Sequence, residues 1–223
     1  MRKKVVVFGT TQTAELANYY LTHTSDEFEI VAFTVDKQYR QSDLQFGKPL
    51  VDFDNVEQIY PPTECFLFAP MTGKGLNKLR ERVFLEGKQK GYTFITYISK
   101  YATVLSKDIG ENCFILEDNT IQPFVTIGNN CVLWSGNHIG HHSIIKDHVF
   151  ITSHVVISGN CIIDNYCWLG VNATIRNGLH ILEGSLVSMG ACVTTDTEPY
   201  TVYMGVPAKP KGSSLVESIS SSL

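Results

Sequence analysis

Residues 109–140 read IGENCFILEDNTIQPFVTIGNNCVLWSGNHIG, with an aliphatic side chain at every sixth position: Ile109, Ile115, Ile121, Ile127, Leu133 and Ile139. The series runs on without a miss through Ile145, Ile151, Ile157, Ile163, Leu169, Ile175, Ile181, Val187 and Val193. A helix repeats every 3.6 residues and a strand every two, so neither explains a period of six. A solenoid of short parallel strands does, with three strands to a coil and one aliphatic per strand pointing inward. Eighteen residues per coil give about five coils, and at roughly 4.8 Å per rung the prism is on the order of 25 Å tall.

Two further columns follow from the same frame. Three residues after each aliphatic stand Asn112, Asp118, Phe124, Asn130, Gly136, His142, His148, His154, Asn160, Tyr166, Asn172, Gly178, Gly184, Gly190 and Asp196. Apart from Phe124 and Tyr166 these are Gly, Asn, Asp or His, the types that best tolerate a left-handed backbone, so the column is read as the corner turn. His142, His148 and His154 are therefore turn residues first. One place further on lies a mostly small, inward column that includes Cys113, Cys131, Cys161 and Cys167, read as packing. Two histidines of the stretch SGNHIGHHSIIKDH (135–148) remain over. His138 precedes Ile139 on a strand and should face outward, and His141 stands where the repeat sets no preference for histidine.

Residues 1–97 obey another rule. KVVVFG (4–9), FEIVAFTVD (28–36), CFLFAP (65–70) and TFITYIS (93–99) read as strands, and TAELANYYLTHT (13–24) and LNKLRERVFLEGKQKG (76–91) as helices. Strands alternating with helices predict a small, parallel, Rossmann-like α/β sheet, with 37–62 as a loop-rich connection. Lys74, Lys78, Arg80 and Arg82 read as a solvated helix face. The expected organisation is an α/β domain at 1–99, the solenoid at 100–211 and a mobile Ser-rich tail at 212–223.

The totals narrow the function classes. A net charge of −4 and 18% charged residues give no basic patch for nucleic acid or anionic membrane. The opening MRKKVVVFGT has only a short apolar run before Gly9 and no stretch is long enough to span a bilayer, so the chain reads as cytoplasmic. Six cysteines without a CxxC pair read as reduced thiols rather than a zinc site, and no metal is expected. A histidine triad of the carbonic-anhydrase kind is not supported, because the histidine pair five apart that it needs is missing. A three-sided prism with flat faces invites a cyclic homotrimer, with His138 and His141 in the groove between subunits.

The hexapeptide repeats, followed by GVPAK (205–209) after the last coil and preceded by an α/β domain, resemble the left-handed β-helix sugar acyltransferases of the sialic-acid and bacillosamine (NeuD and PglD) type. Their catalytic segment reads approximately HDCVIGDFVHIAPGATLSGN, and HHSIIKDHVFITSHVVISGN (141–160) aligns with it without a gap. The resemblance covers about residues 1–211. It implies a left-handed parallel β-helix and transfer of an acetyl or other short acyl group from acetyl-CoA or another acyl-CoA. The acceptor is the amino group of a nucleotide-linked sugar, in bacterial surface-glycan (lipopolysaccharide) biosynthesis. Sialic-acid-type O-acylation and a non-catalytic trimeric scaffold are the alternatives.

Carried over position by position, the resemblance puts the general base at His141. Gly159, one coil above, would offer its N–H to the oxyanion and let the thioester approach. His142 stands where many members have a carboxylate, which leaves His138, Asn137 or Asp147 to orient His141. Where the bacillosamine enzymes have a second histidine this chain has Phe150. The expected coenzyme contacts are Gly159, Phe150, Asn177 and Lys209, with Trp134 and Phe150 shaping the acyl cleft. The family often has a glycine-rich turn after the first strand; here GTTQTA keeps one glycine. Gly9, Thr10, Thr11, Gln12, Thr13 and Asp36 are the expected nucleotide-sugar contacts.

Overall fold

A computed structural model describes residues 2–212; the Ser-rich tail, 213–223, lies outside the described residues. The first unit is a five-stranded sheet in the order β3-β4-β2-β1-β5. Its strands are β1 (Lys3–Phe8), β2 (Phe28–Val35), β3 (Leu44–Gln45), β4 (Lys48–Asp52) and β5 (Phe66–Phe68). The helices are α1 (Gln12–His23), α2 (Val56–Ile59) and α3 (Lys78–Gln89). The three central strands run parallel, as alternation of strand and helix predicts. The connection after Asp36 is more than loop: β4 pairs parallel with β2 and buries Leu50 and Val51. A tight hairpin at Phe46 and Gly47, both with positive φ, turns β3 back onto it. Neither residue belongs to an Asn-Gly signature, so the turn was not legible.

The second unit is a triangular prism whose faces are stacks of two-residue parallel strands. The first face runs from Thr103–Val104 to Cys192–Val193, the second from Asp108–Ile109 to His180–Ile181, and the third from Tyr97–Ile98 to Val202–Met204. All fifteen aliphatics of the sixfold series line one core, fully buried except Ile109 at its open end. Every residue of the predicted corner column except Asp196 has positive φ, Phe124 and Tyr166 included. The four column cysteines are buried and free, and burial pushes the Cys161 and Cys167 thiols up, away from reactivity.

The prism starts one coil earlier than the series shows. Ile98 and Val104 are six apart, but Val104 and Ile109 only five, so the first coil is out of phase with the rest. The stretch expected as the last α/β strand (93–99) is thereby divided: Phe94 bridges to β5, while Tyr97–Ile98 already pairs with Phe114–Ile115.

The α/β unit covers the third face. The outward residues Phe114, Val132 and Phe150 share one buried cluster with Val5, Val7 and Phe68. Arg80, expected on a solvated face, is fully buried between the two units. Its guanidinium donates to the carbonyls of Asn130, Val149, Met71 and Thr72 at 3.2–3.4 Å and lies over the Phe150 ring. Among the described residues no helix is long and apolar enough to cross a membrane.

Candidate active site

The corner between the first and second faces carries His141. Gly140 ends the Ile139 strand, His141 and His142 make the turn, and Ser143 points back into the coil, where it is buried. The His141 N–H donates to the side-chain oxygen of Gln122, one coil below, at 2.8 Å. Its Nδ1 lies 3.1 Å from Nδ1 of His142. Its Cε1 edge lies against Gly159, one coil above: a methyl group built on Gly159 would stand 2.7 Å from Cε1, 2.8 Å from Nε2 and 3.1 Å from Nδ1. The ring therefore fits only beneath a residue without a side chain. Among the described residues the Gly159 N–H has no hydrogen-bond partner. An unpaired amide beside an exposed imidazole is a donor and a proton acceptor at one place. Asn177 is exposed on the next coil of the same edge, and Lys209 is exposed on the closing strand Lys209–Pro210.

Four expected residues lie elsewhere. Asn137 is in the inward column: its amide donates to the Trp134 carbonyl and its oxygen accepts from Val155 N–H, so it closes a coil and cannot touch His141. Asp147 sits at the next corner, where it caps the N–H of Asn129 at 2.6 Å. Phe150 and Trp134 belong to the buried interface with the α/β unit and do not shape a cleft at His141. His138 is half-buried on the first face between Thr120 and Val156 and makes no hydrogen bond to His141 among the described residues. Gln122 was missed; its signal is its place one coil below, beside the turn it supports.

A second candidate region is a cleft of about 540 Å³ at the carboxyl ends of β1 and β2. Gly9, Thr10, Thr11 and Asp36 line it, joined by Tyr39, Lys74 and Arg82. Gly9 has φ +118 and passes the chain into α1, whose first amides have no intrahelical acceptor. Gln12 and Thr13 instead face a separate, more open depression with Glu15 and Phe46. Asp36 holds Arg82 through both oxygens, at 2.7 and 3.2 Å, and this pair holds the Arg82 guanidinium above its ordinary range despite partial burial. Lys74 and Arg82 are thus cleft residues rather than a solvated helix face.

A further cluster of histidine is structural. His148 is buried at the corner between the second and third faces. It stacks on Tyr166 and shares a 2.8 Å hydrogen bond with Asn130. Among the described residues no group of three His, Cys, Asp or Glu side chains is placed to hold a metal ion.

Comparison with known proteins agrees with this architecture. Residues 107–141 match the family model for the bacterial transferase hexapeptide (six repeats). A Schizosaccharomyces pombe protein named as an acetyltransferase is 31% identical over 99 residues, 44% of this chain and 46% of that relative, so the match spans just under half of the relative's length. Among solved structures, the acetyltransferase domain of PglB from Neisseria gonorrhoeae in complex with acetyl coenzyme A superposes with a TM-score of 0.82. It is 18% identical and covers 94% of this chain and 100% of that one. A variant of perosamine N-acetyltransferase from Caulobacter crescentus, in complex with CoA and GDP-perosamine, gives 0.81 at 22% identity, covering 94% and 97%. The fold shared across these chains is an α/β unit followed by a left-handed parallel β-helix.

Proposed function

We propose that this hexapeptide-repeat protein is an acyl-CoA-dependent sugar N-acyltransferase, a cytoplasmic homotrimer acting in bacterial surface-glycan biosynthesis. It moves an acetyl or other short acyl group to the amino group of a nucleotide-linked amino sugar. The observation that carries the reading is the pairing of the exposed His141 ring with the unpaired Gly159 amide directly above it. The similarity to chains crystallised with acetyl coenzyme A, and with CoA and a nucleotide sugar, supports the substrate classes.

In this reading the sugar amine attacks the thioester carbon and His141 Nε2 takes the proton the nitrogen sheds. The carbonyl oxygen becomes an oxyanion facing the Gly159 N–H. The C–S bond then breaks, and the coenzyme thiolate leaves with the proton from His141. The α/β unit covers the face opposite the His141 edge of its own chain. The nucleotide portion of the acceptor therefore occupies the Gly9–Thr11 cleft of a neighbouring subunit of the trimer, its phosphates toward the first amides of α1 and toward Lys74. The coenzyme runs along the prism edge past Asn177 toward Lys209.

A thiol-release assay with acetyl-CoA against nucleotide-linked amino sugars, GDP-perosamine among them, tests this. Turnover that His141→Ala lowers by about a hundredfold or more is the expected result. No thiol release with any amine acceptor, or full turnover in His141→Ala, overturns it; release with hydroxyl acceptors alone moves the reading to O-acylation.

A further inference from the structure

We infer that His142 is a positioning residue for His141, fixing its ring in the tautomer that leaves Nε2 bare; this rests on the reading of His141 as the base. The two Nδ1 atoms stand 3.1 Å apart. Of two imidazole nitrogens so placed, one carries the proton and the other accepts it. Gly159 lies over the Cε1 edge of His141, within reach of both nitrogens; Nδ1 is the one that meets His142, so a base working at the free Nε2 has its proton on Nδ1. His141 Nδ1–H is then the donor and His142 Nδ1 the acceptor, with the proton of His142 on its own Nε2. A neutral imidazole does here what a carboxylate does for the histidine of other acid–base pairs: it selects a tautomer and an orientation.

Of the other groups expected to do this, His138 makes no hydrogen bond to His141 among the described residues, and the remaining two are engaged elsewhere. Asn137 is spent on two backbone partners inside the coil, and Asp147 caps Asn129 at a different edge. His142 is itself held. Its backbone is left-handed, at φ +57, and its ring meets that of Phe124 one coil below at 4.7 Å and 35°. Phe124 also has positive φ and is 72% exposed. A bulky residue in that conformation costs about 1–2 kcal/mol, and so exposed a ring gains little from burial. Tyr166, the other large aromatic of the corner column, is stacked on His148 in the domain interface. For Phe124 the aromatic partner is His142, and the pair fixes the plane in which the acceptor nitrogen lies.

The left-handed corner makes the test clean, because glycine and aspartate both accept φ near +57 and leave the coil intact. In His142→Gly the acceptor is gone; in His142→Asp a carboxylate replaces it. Imidazole-nitrogen NMR on the full-length protein at neutral pH reads the tautomer directly, without any substrate. The wild type and His142→Asp show His141 protonated at Nδ1, and His142→Gly shows it at Nε2. In the thiol-release assay kcat of His142→Gly falls about tenfold or more, KM for both substrates holds within about twofold, and His142→Asp recovers kcat. A wild-type His141 protonated at Nε2, or equal tautomers in the glycine and aspartate variants, overturns the inference. If instead His141→Ala keeps full turnover while the tautomer shifts as described, the positioning stands and the assignment of the base fails.

Discussion

Two edges of the prism are built from the same backbone and the same repeat, and they do opposite things. At the edge between the second and third faces three successive coils have their corner amides closed by side chains. Asn129 caps Glu111, Asp147 caps Asn129 and Asn165 caps Asp147, each from one coil to the next. Beside that ladder Asn112, Asn130 and His148 are hydrogen-bonded in series, and α3 lies over them. At the edge between the first and second faces the ladder stops: Gln122 caps His141, and the next amide, that of Gly159, is left open beneath no side chain. Both edges carry left-handed imidazoles, His148 on one and His142 on the other. A repeat therefore prescribes the conformation of a corner but not its use; an unsatisfied amide beside an exposed ring marks the edge where chemistry is possible.

The difference can be broken from either side. The largest effect in free energy belongs to the closed edge. Arg80→Met strips a buried donor from four carbonyls and should lower stability by about 2–4 kcal/mol in denaturant unfolding. An unchanged midpoint would mean that the α/β unit is held to the prism by its apolar contacts alone. On the open edge Gly159→Ala brings a methyl group within 2.7 Å of the His141 ring. The ring must swing away, and turnover should drop about a hundredfold, as a misplacement of an ångström at a reacting centre does, while thermal unfolding is unchanged. If alanine leaves turnover intact, the glycine is an ordinary turn residue and the two edges are functionally alike.

How much of this was legible depends on which residue is asked. The prism, its corners and its cysteine core follow from period six alone, because each inward position must be aliphatic or small for coils to stack. Asn137 was legible as structural for the same reason: it stands four after Leu133, in the column that points inward. The resemblance outweighed that position. Arg80 left a signal that its charge concealed. With Val83, Phe84 and Gly87 it occupies the i, i+3, i+4, i+7 stripe of α3, the stripe that is buried. Phe150 left none. It is an outward aromatic on one of three equivalent faces, and nothing local says which face an attached domain will cover. The contact between His141 and His142 was equally hidden, since side-chain direction at a left-handed corner is set by what lies one coil below.

The smallest effect tests whether the closed edge is closed to protons as well. Burial lowers the affinity of His148 for a proton, against the opposing pull of Glu81 and Asp147, while Arg80 and Lys78 add to the lowering. Its Nδ1 accepts from the Asn130 amide, leaving Nε2–H toward Glu81 at 3.7 Å. A second proton on the ring would break the bond to Asn130. Because the folded protein binds this proton less readily than the unfolded chain, the contribution of His148 is complete above the ordinary imidazole value of about 6.5. It is then lost progressively as the pH falls below that value. The unfolding midpoint should therefore fall on acidification more steeply in the wild type than in His148→Asn, which keeps a residue suited to positive φ and cannot titrate. Parallel midpoints would assign the acid sensitivity to the carboxylates that His148 faces.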